Sequence, residues 1–193
     1  FMGDNYSKEW EKEAAKRGLP NKKVTAEALE DLVTDKAKEL FNKYGVFSTV
    51  ELEARYTIRL ERYIKEIDIE AKTLLDMVKT KVIPAALRYQ NSIASSCLRI
   101  KDLLGDRAPL DAQKQLCETV AALSNDIIKE ADKLSRLIEK ATAMHDEIEQ
   151  AKLYAYDVKL QMEALRSKVD LIETVASDNL WPFPRLWEML FIS

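Results

Sequence analysis

The sequence is poor in residues that end regular structure, with four glycines and five prolines among 193 residues. It also has one histidine, two cysteines and no apolar run long enough to span a membrane. Because turn-forming residues are so few, we expect an all-α chain with long helices. Two cysteines favour a reduced, cytoplasmic protein over one that disulfides stabilise.

No sign of charge dominates the composition. Thirty basic residues nearly balance thirty-three acidic ones, the formal net charge is −3, and there is no long Lys/Arg run. We therefore predict neither nucleic acid nor a membrane as a partner, although a local basic face stays open. Hydrophobic residues make up 47% of the chain, which is enough to form a core.

Catalytic motifs are missing as well. The sequence contains no phosphate-binding Gly-rich loop, no Cys-x-x-Cys and no His-Glu-x-x-His. The single histidine, His145, lies beside Asp146 and Glu147, and we favour a surface or capping role for it over a metal site. A di-metal helical bundle would need Glu-x-x-His pairs, which His145 does not supply. We predict no catalytic, cofactor-binding or metal-ligating residue in this chain.

Short helices are predicted at the N-terminal end. Residues 7–17 form the first, with Ser7 as its N-cap and Gly18 as its stop. A second helical region runs over 25–44 with an interruption near Thr34, and Gly45 ends it.

A longer helix begins at a capping box formed by Ser48 and Glu51. Its apolar residues alternate three and four apart, which is a heptad pattern. Pro84 interrupts the pattern, and we expect a helix kink there because proline donates no hydrogen bond and crowds the preceding turn. Polar side chains after the proline, Arg88 and Asn91 among them, would satisfy the freed carbonyl. We prefer that role for them over a ligand site.

Two further heptad-patterned helices follow Gly105. One occupies the stretch after the 105–111 turn, a break falls near 143–146, and the last runs to Ala176. Short turns between such helices predict an elongated antiparallel bundle of three long helices. We divide the chain into an N-terminal helical segment (1–47), a long-helix bundle (48–177) and an extended aromatic strap (178–193).

Two residue pairs have both a structural and a functional interpretation. Cys97 and Cys117 fall at similar distances from the turn, so they are small core thiols or, less commonly, partners in a regulatory disulfide. Tyr154 and Tyr156 lie close together on the last helix. We interpret them as core and rim packing and not as a cofactor site.

The tail "DNLWPFPRLWEMLFIS" is the most unusual stretch. It holds two of the three tryptophans and two of the five prolines. The prolines keep the backbone extended, so apolar side chains become anchors for packing or an interface. The predicted anchors are Trp181, Phe183, Trp187, Leu190 and Phe191. We expect the tail to strap onto its own bundle, with docking on a neighbouring domain or subunit as the alternative.

Five stretches together resemble the C-terminal region of type III glutamine synthetase. They are "FMGDNYSKEWEKEAAKRGLPN" (1–21), "ELFNKYGVFSTVELEARY" (39–56), "VIPAALRYQNS" (82–92), "YAYDVKLQMEALRSKVDLIE" (154–173) and "LWPFPRLWEMLF" (180–191). They follow the family's order across the chain, whereas residues 93–150 match only in pattern.

The resemblance implies a piece of a larger enzyme that joins glutamate and ammonia with ATP and divalent metal ions. It implies that the catalytic residues lie upstream, that this region is inactive alone, and that its partners are the upstream catalytic domain and other copies in a homo-oligomer. A free-standing helical scaffold or a membrane-curving module of the BAR type is the alternative. The slightly acidic charge speaks against the membrane version.

Overall fold

The computed structural model describes residues 3–4 and 6–190, without the side chains of residues 186 and 187. The described residues form helices and short connections and contain no β-strand, which confirms the all-α class. The chain divides into two compact units, residues 1–64 and 65–193.

The first unit begins with three short helices, α1 (Lys8–Lys16), α2 (Thr25–Glu30) and α3 (Asp35–Lys43). Two of these helices begin at side-chain caps, of which Ser7 was predicted. The Ser7 side chain accepts a hydrogen bond from the Trp10 main-chain N–H, and the Thr34 side chain accepts one from that of Ala37. Thr34 follows a 3-10 turn at Asp31–Val33, so the predicted interruption of the second helical region is confirmed.

Helix α4 (Thr49–Met77) starts at the predicted capping box. The Ser48 main-chain N–H and hydroxyl each donate to Glu51 Oε2 at 2.8 Å, and the Glu51 N–H donates to Ser48 Oγ at 3.3 Å. The hydrogen bonds from Ser48 lower the pKa of Glu51, and slight desolvation opposes this shift only in part. Nearby, the Arg55 guanidinium lies 4.3 Å from the Phe47 ring centroid, a cation–π contact.

A π-helical turn at Val78–Val82 separates α4 from helix α5 (Ile83–Leu104). The Ile83 N–H bonds to the oxygen of Val78, five residues back. Pro84 follows immediately and has no N–H to continue the usual i→i−4 ladder. The spacing of apolar residues here does not indicate a π turn, and the kink angle at Pro84 stays a prediction.

The second unit continues with antiparallel helices. Gly105, at φ 63°, ends α5 in the left-handed region that favours glycine, and α6 (Asp111–Thr142) follows. The predicted break is confirmed: Asp146 caps α7 (Glu147–Leu153) by accepting hydrogen bonds from the N–H groups of residues 148 and 149. A second π turn, Tyr154–Val158, then leads into α8 (Lys159–Val175).

Helix α6 packs against α5 on one side and against α8 on the other. Its predicted apolar seam supplies the buried residues of this layer. They include Val120, Ile127, Leu134, Ile138 and Ala141. Opposite them on α8 lie Leu165, Val169 and Ile172, which are also buried. These buried residues recur three, four or seven apart, as expected for one face of a helix.

Candidate functional site

The tail leaves α8 through a short 3-10 turn. Ala176 is extended, a turn follows at Asp178–Leu180, and a five-residue helix, α9 (Leu186–Leu190), comes after residues 181–185. The expectation of an extended strap therefore holds only around the two prolines. The residues before Pro182 and after Pro184 keep their main-chain N–H groups. The chain can therefore form a 3-10 turn before the prolines and α9 after them.

Trp181 is the anchor of the tail. Its side chain is buried, with 8% of the residue exposed. Its ring meets Phe183 edge to face, with centroids 6.2 Å apart and an interplanar angle of 73°. Within the described part of the chain, the buried indole Nε1 has no hydrogen-bond partner. An unpaired buried donor costs about 1–3 kcal/mol, so the ring is held here by apolar packing.

Phe183 connects the tail to the first π turn. The Lys81 ammonium lies 5.5 Å from the Phe183 ring centroid, within cation–π range. The 3-10 turn of the tail also packs on α5. The aromatic tail therefore lies against the π turn that directly precedes α5, although the two are about a hundred residues apart in the chain.

Arg185 closes the tail onto the end of α8. Nη1 donates to the main-chain oxygen of Glu173 and Nη2 to that of Ala176, both at 2.7 Å. Nε pairs with the Asp178 carboxylate. The last carbonyls of a helix have no partner within the helix, and a cation is favourable there because of the helix dipole. Arg185 therefore acts as a C-terminal cap for α8.

The other predicted anchors have different positions. Leu190 is 70% exposed. The backbone of Trp187 lies in α9 but its side chain is outside the described atoms, and Phe191 lies outside the described residues. Pro84 is half-buried at the start of α5. The structure thus brings Trp181 and Phe183 together and leaves Leu190 in solvent.

A second polar cluster surrounds Tyr154, whose side chain is fully buried. Its hydroxyl donates to Asp68 Oδ1 at 2.7 Å, and Lys72 Nζ lies 2.6 Å from the other carboxylate oxygen. Burial, followed by the hydrogen bond to Asp68, raises the pKa of Tyr154 to about 12, and a hydrogen bond with Thr142 partly opposes this shift. Tyr156 is 40% exposed, so the predicted division into core and rim is confirmed.

Polar contacts also join α6 to α8. Gln161 Nε2 donates to the main-chain oxygen of Glu130 and to its carboxylate, at 3.1 and 2.6 Å. Lys168 pairs with Asp126 at 3.1 Å. Hydrogen bonds from Lys133 and then from Gln161 hold the pKa of Glu130 below its ordinary value. These contacts fix the register between the two helices.

Residues with redox or metal-binding side chains are scattered. Cys97 and Cys117 are free thiols and half-buried, and Cys97 Sγ lies 3.8 Å from Gln113 Oε1. His145 is exposed in the connection between α6 and α7. No helix among the described residues is long and apolar enough to cross a membrane.

Sequence reasoning missed Arg185 and Asp68. Arg185 bonds mainly to main-chain oxygens, which carry no residue-specific signal. Asp68 is one of many acidic residues on an amphipathic helix, and its partner Tyr154 is 86 residues away. Of the residues that form these two clusters, the sequence indicated Trp181, Phe183 and Tyr154.

Comparison with known proteins identifies the family. A family model described as the glutamine synthetase C-terminal domain matches residues 1–101, more than half of the chain. The chain belongs to the glutamine synthetase C-terminal domain family. The matched part contains α1 to α4 and most of α5, where three of the five resembling stretches lie.

Full-length similarity extends beyond the family model. The chain is 35% identical to a type-3 glutamine synthetase of Dictyostelium discoideum over its whole length, which is 26% of that protein. It is 32% identical to a glutamine synthetase of Butyrivibrio fibrisolvens and 29% identical to one of Bacteroides fragilis strain YCH46. Each of these two matches covers 99% of the chain and 27% of the relative. The chain thus spans about a quarter of the length of these relatives.

The family's ATP and metal chemistry finds no matching ligand set here. No group of three His, Cys, Asp or Glu side chains in the described ranges is arranged to hold a metal ion. The carboxylate of Glu130 accepts hydrogen bonds from Lys133 and Gln161. The carboxylate of Asp68 accepts one from Tyr154 and pairs with Lys72.

Proposed function

We propose that this chain is an accessory C-terminal domain of a type III glutamine synthetase and is inactive alone. The parent enzyme makes glutamine from glutamate, ammonia and ATP with divalent metal ions, works in the cytoplasm and assembles as a homo-oligomer. The supporting observation is the match of the whole chain to a type-3 glutamine synthetase four times its length. That match favours a domain of a larger enzyme over a free-standing scaffold or a BAR-type module.

The domain's role is mechanical. Helices α5, α6 and α8 pack into a layer whose apolar faces are buried against one another. Such a rigid layer supports the catalytic domain and the assembly of copies, because packed helices resist deformation. It holds other parts of the parent enzyme in position and supplies contact surfaces, while the reacting groups lie in the upstream residues.

We further propose that residues 176–190 form a clasp in cis, defined by Trp181, Phe183 and Arg185. Trp181 supplies buried apolar surface and Phe183 lies over Lys81. Arg185 caps the end of α8. All of these contacts lie within residues 65–193. They support a tail that holds the final helix in place, while Leu190, exposed in this chain, stays available to a neighbour.

An activity assay tests the accessory role. The chain alone, supplied with glutamate, ammonia, ATP and magnesium, should form no glutamine, while the full-length parent should. Measurable ATP-dependent synthesis by the chain alone would refute the proposal. A parent shortened by these 193 residues should lose subunit assembly or activity, and unchanged assembly and turnover would also count against the accessory role.

A further inference from the structure

Charge is distributed unevenly along the chain. Residues 77–101, which cover the first π turn and most of α5, contain five basic residues and no acidic one, whereas the whole chain carries −3. The basic residues are Lys79, Lys81, Arg88, Arg99 and Lys101. A stretch of 25 residues without a carboxylate cannot form the i,i+4 ion pairs that occur elsewhere in this chain, such as Arg166 with Asp170.

One face of α5 packs on α6, and the opposite face carries the exposed residues. Leu87 and Leu98 on this face are 47% and 64% exposed. Arg88 and Arg99 are exposed beside them. Each pair is eleven residues apart, which is close to three helical turns or about 16 Å along the axis. The four side chains therefore form two parallel rows.

Small polar residues fill the space between the two arginines. Together they line a groove of about 480 Å³. Its lining residues are Arg88, Asn91, Ser92, Ser95, Ser96, Arg99 and Ile100. Within the part of the chain that the structure describes, neither arginine has an ion pair. By contrast, Arg17 and Arg166 each pair with a carboxylate four residues away on their own helices.

We propose that this α5 stripe, defined as Leu87, Arg88, Asn91, Ser92, Ser95, Leu98 and Arg99, docks an acidic helix from the part of the parent enzyme outside this chain. Arginine is enriched at interfaces and lysine is depleted there, and the exposed leucines beside Arg88 and Arg99 add apolar surface for a partner to cover. Small side chains between them let a partner backbone approach closely. The absence of carboxylates calls for an acidic partner.

The geometry also constrains the partner. Two carboxylates about three turns apart on one helix face would meet Arg88 and Arg99 together, and each arginine can bind a carboxylate through two parallel hydrogen bonds. This inference rests on the proposed function, because about three quarters of the length of the relatives lies outside the region that matches this chain.

Hydrogen exchange in the full-length parent tests the surface. We expect the amides of 85–101 to exchange at least tenfold more slowly in the parent than in this chain alone. The double variant Arg88→Glu/Arg99→Glu should return them to the rate of the isolated chain. The control variant Arg107→Glu/Arg136→Glu changes the net charge equally at exposed positions and should leave the protection intact. Equal protection in wild type and the Arg88/Arg99 variant would overturn the proposal.

Zero-length carbodiimide cross-linking identifies the occupant. Lys79 and Lys101 flank the stripe, and we expect their amines to join carboxylates of the parent outside these 193 residues. Cross-links between ¹⁴N- and ¹⁵N-labelled copies of the chain at these lysines would assign the face to a second copy and overturn the proposal. Arg88- and Arg99-dependent sedimentation of the chain with phosphatidylserine vesicles would overturn it in favour of a membrane surface.

The outcome separates the docking surface from the accessory role. If the Arg88/Arg99 variant keeps protection while removal of the whole domain abolishes assembly, the domain is accessory but docks elsewhere. If the chain alone forms glutamine, the proposed function itself fails. Both double variants should keep the circular-dichroism spectrum and melting temperature of the wild-type chain, because all four arginines are exposed.

Discussion

The guanidinium of Arg185 donates a hydrogen bond from Nη2 to the main-chain oxygen of Ala176 at 2.7 Å. The acceptor ends helix α8 and the donor lies nine residues later, so the chain caps its own helix after passing through two prolines. A second bond to the oxygen of Glu173 completes the fork. This relationship joins the tail to the bundle more specifically than apolar contact alone.

Arg185→Ala should lower the free energy of unfolding by about 1–3 kcal/mol, because it leaves helix-terminal carbonyls and Asp178 without a partner. Arg185→Lys should recover only part of this loss, since an ammonium cannot reproduce the planar fork. Urea denaturation measures both. Arg166→Ala, which removes an exposed ion pair, is the control and should change stability by less than about 1 kcal/mol. Loss of the same size at Arg166 and Arg185 would contradict the capping role.

Trp181 should tolerate phenylalanine better than alanine. Trp181→Phe removes an unpaired buried donor while it keeps most of the apolar ring, so we expect a change within about 1 kcal/mol. Trp181→Ala should cost about 3–5 kcal/mol, because it leaves a cavity. Thermal and chemical denaturation of both variants check this. If phenylalanine is as damaging as alanine, the indole N–H has a partner in solution.

Truncation separates the clasp from the rest of the tail. A chain ending at Asn179 loses Trp181, Phe183 and Arg185. Its loss of stability should be at least the about 3–5 kcal/mol expected for Trp181→Ala, so its melting temperature should fall by roughly 6–20 °C. A chain ending at Arg185 keeps all three side chains and should melt close to the full chain. Calorimetry distinguishes the two. Equal melting temperatures for the full chain and the Asn179 truncation would show that the tail does not clasp the bundle.

Tyr154→Phe should destabilise the chain by about 1–2 kcal/mol near neutral pH, since it removes a hydrogen bond to the half-buried carboxylate of Asp68. The folded pKa of about 12 lies above the ordinary value of 10.0. Ionisation of Tyr154 therefore disfavours the folded state. The stabilisation that the neutral hydroxyl gives is fully present below pH 10 and is lost as the pH rises toward 12. The stability difference between wild type and Tyr154→Phe should shrink over that range.

Tyr6→Phe is the control, because Tyr6 is 98% exposed. Its stability difference from wild type should stay small and should change little between pH 10 and 12. Denaturant titrations at several pH values measure both variants. A difference for Tyr154→Phe that is constant up to pH 12 would show that the Tyr154 hydroxyl is not buried against Asp68.

Local patterns predicted the helices well for identifiable reasons. The Ser48–Glu51 box and the Asp146 cap depend on hydrogen bonds between residues two or three apart, so the residues that make them are visible together in the sequence. Gly105 marks a helix end because its left-handed backbone is costly for other residues. Each of these features is decided within one helical turn.

The two π turns were not predicted. At Tyr154–Val158 the heptad spacing of apolar residues continues without a gap, so periodicity gave no sign of a widened turn. At Val78–Val82 the proline indicated a disturbance but not its form. A π turn inserts its extra residue where side-chain packing favours it, and that depends on neighbouring helices.

The sequence by itself determined the helical class and the helix ends at Ser48, Gly105 and Asp146, because each depends on residues close together in the chain. It also carried the likeness to the glutamine synthetase C-terminal domain, through five stretches in the order of the family. Tertiary structure alone decided that Arg185 caps α8, that Tyr154 bonds to Asp68 and that Phe183 lies over Lys81. These contacts join groups distant in sequence, often through main-chain atoms that every residue shares. They exist only once the helices have packed.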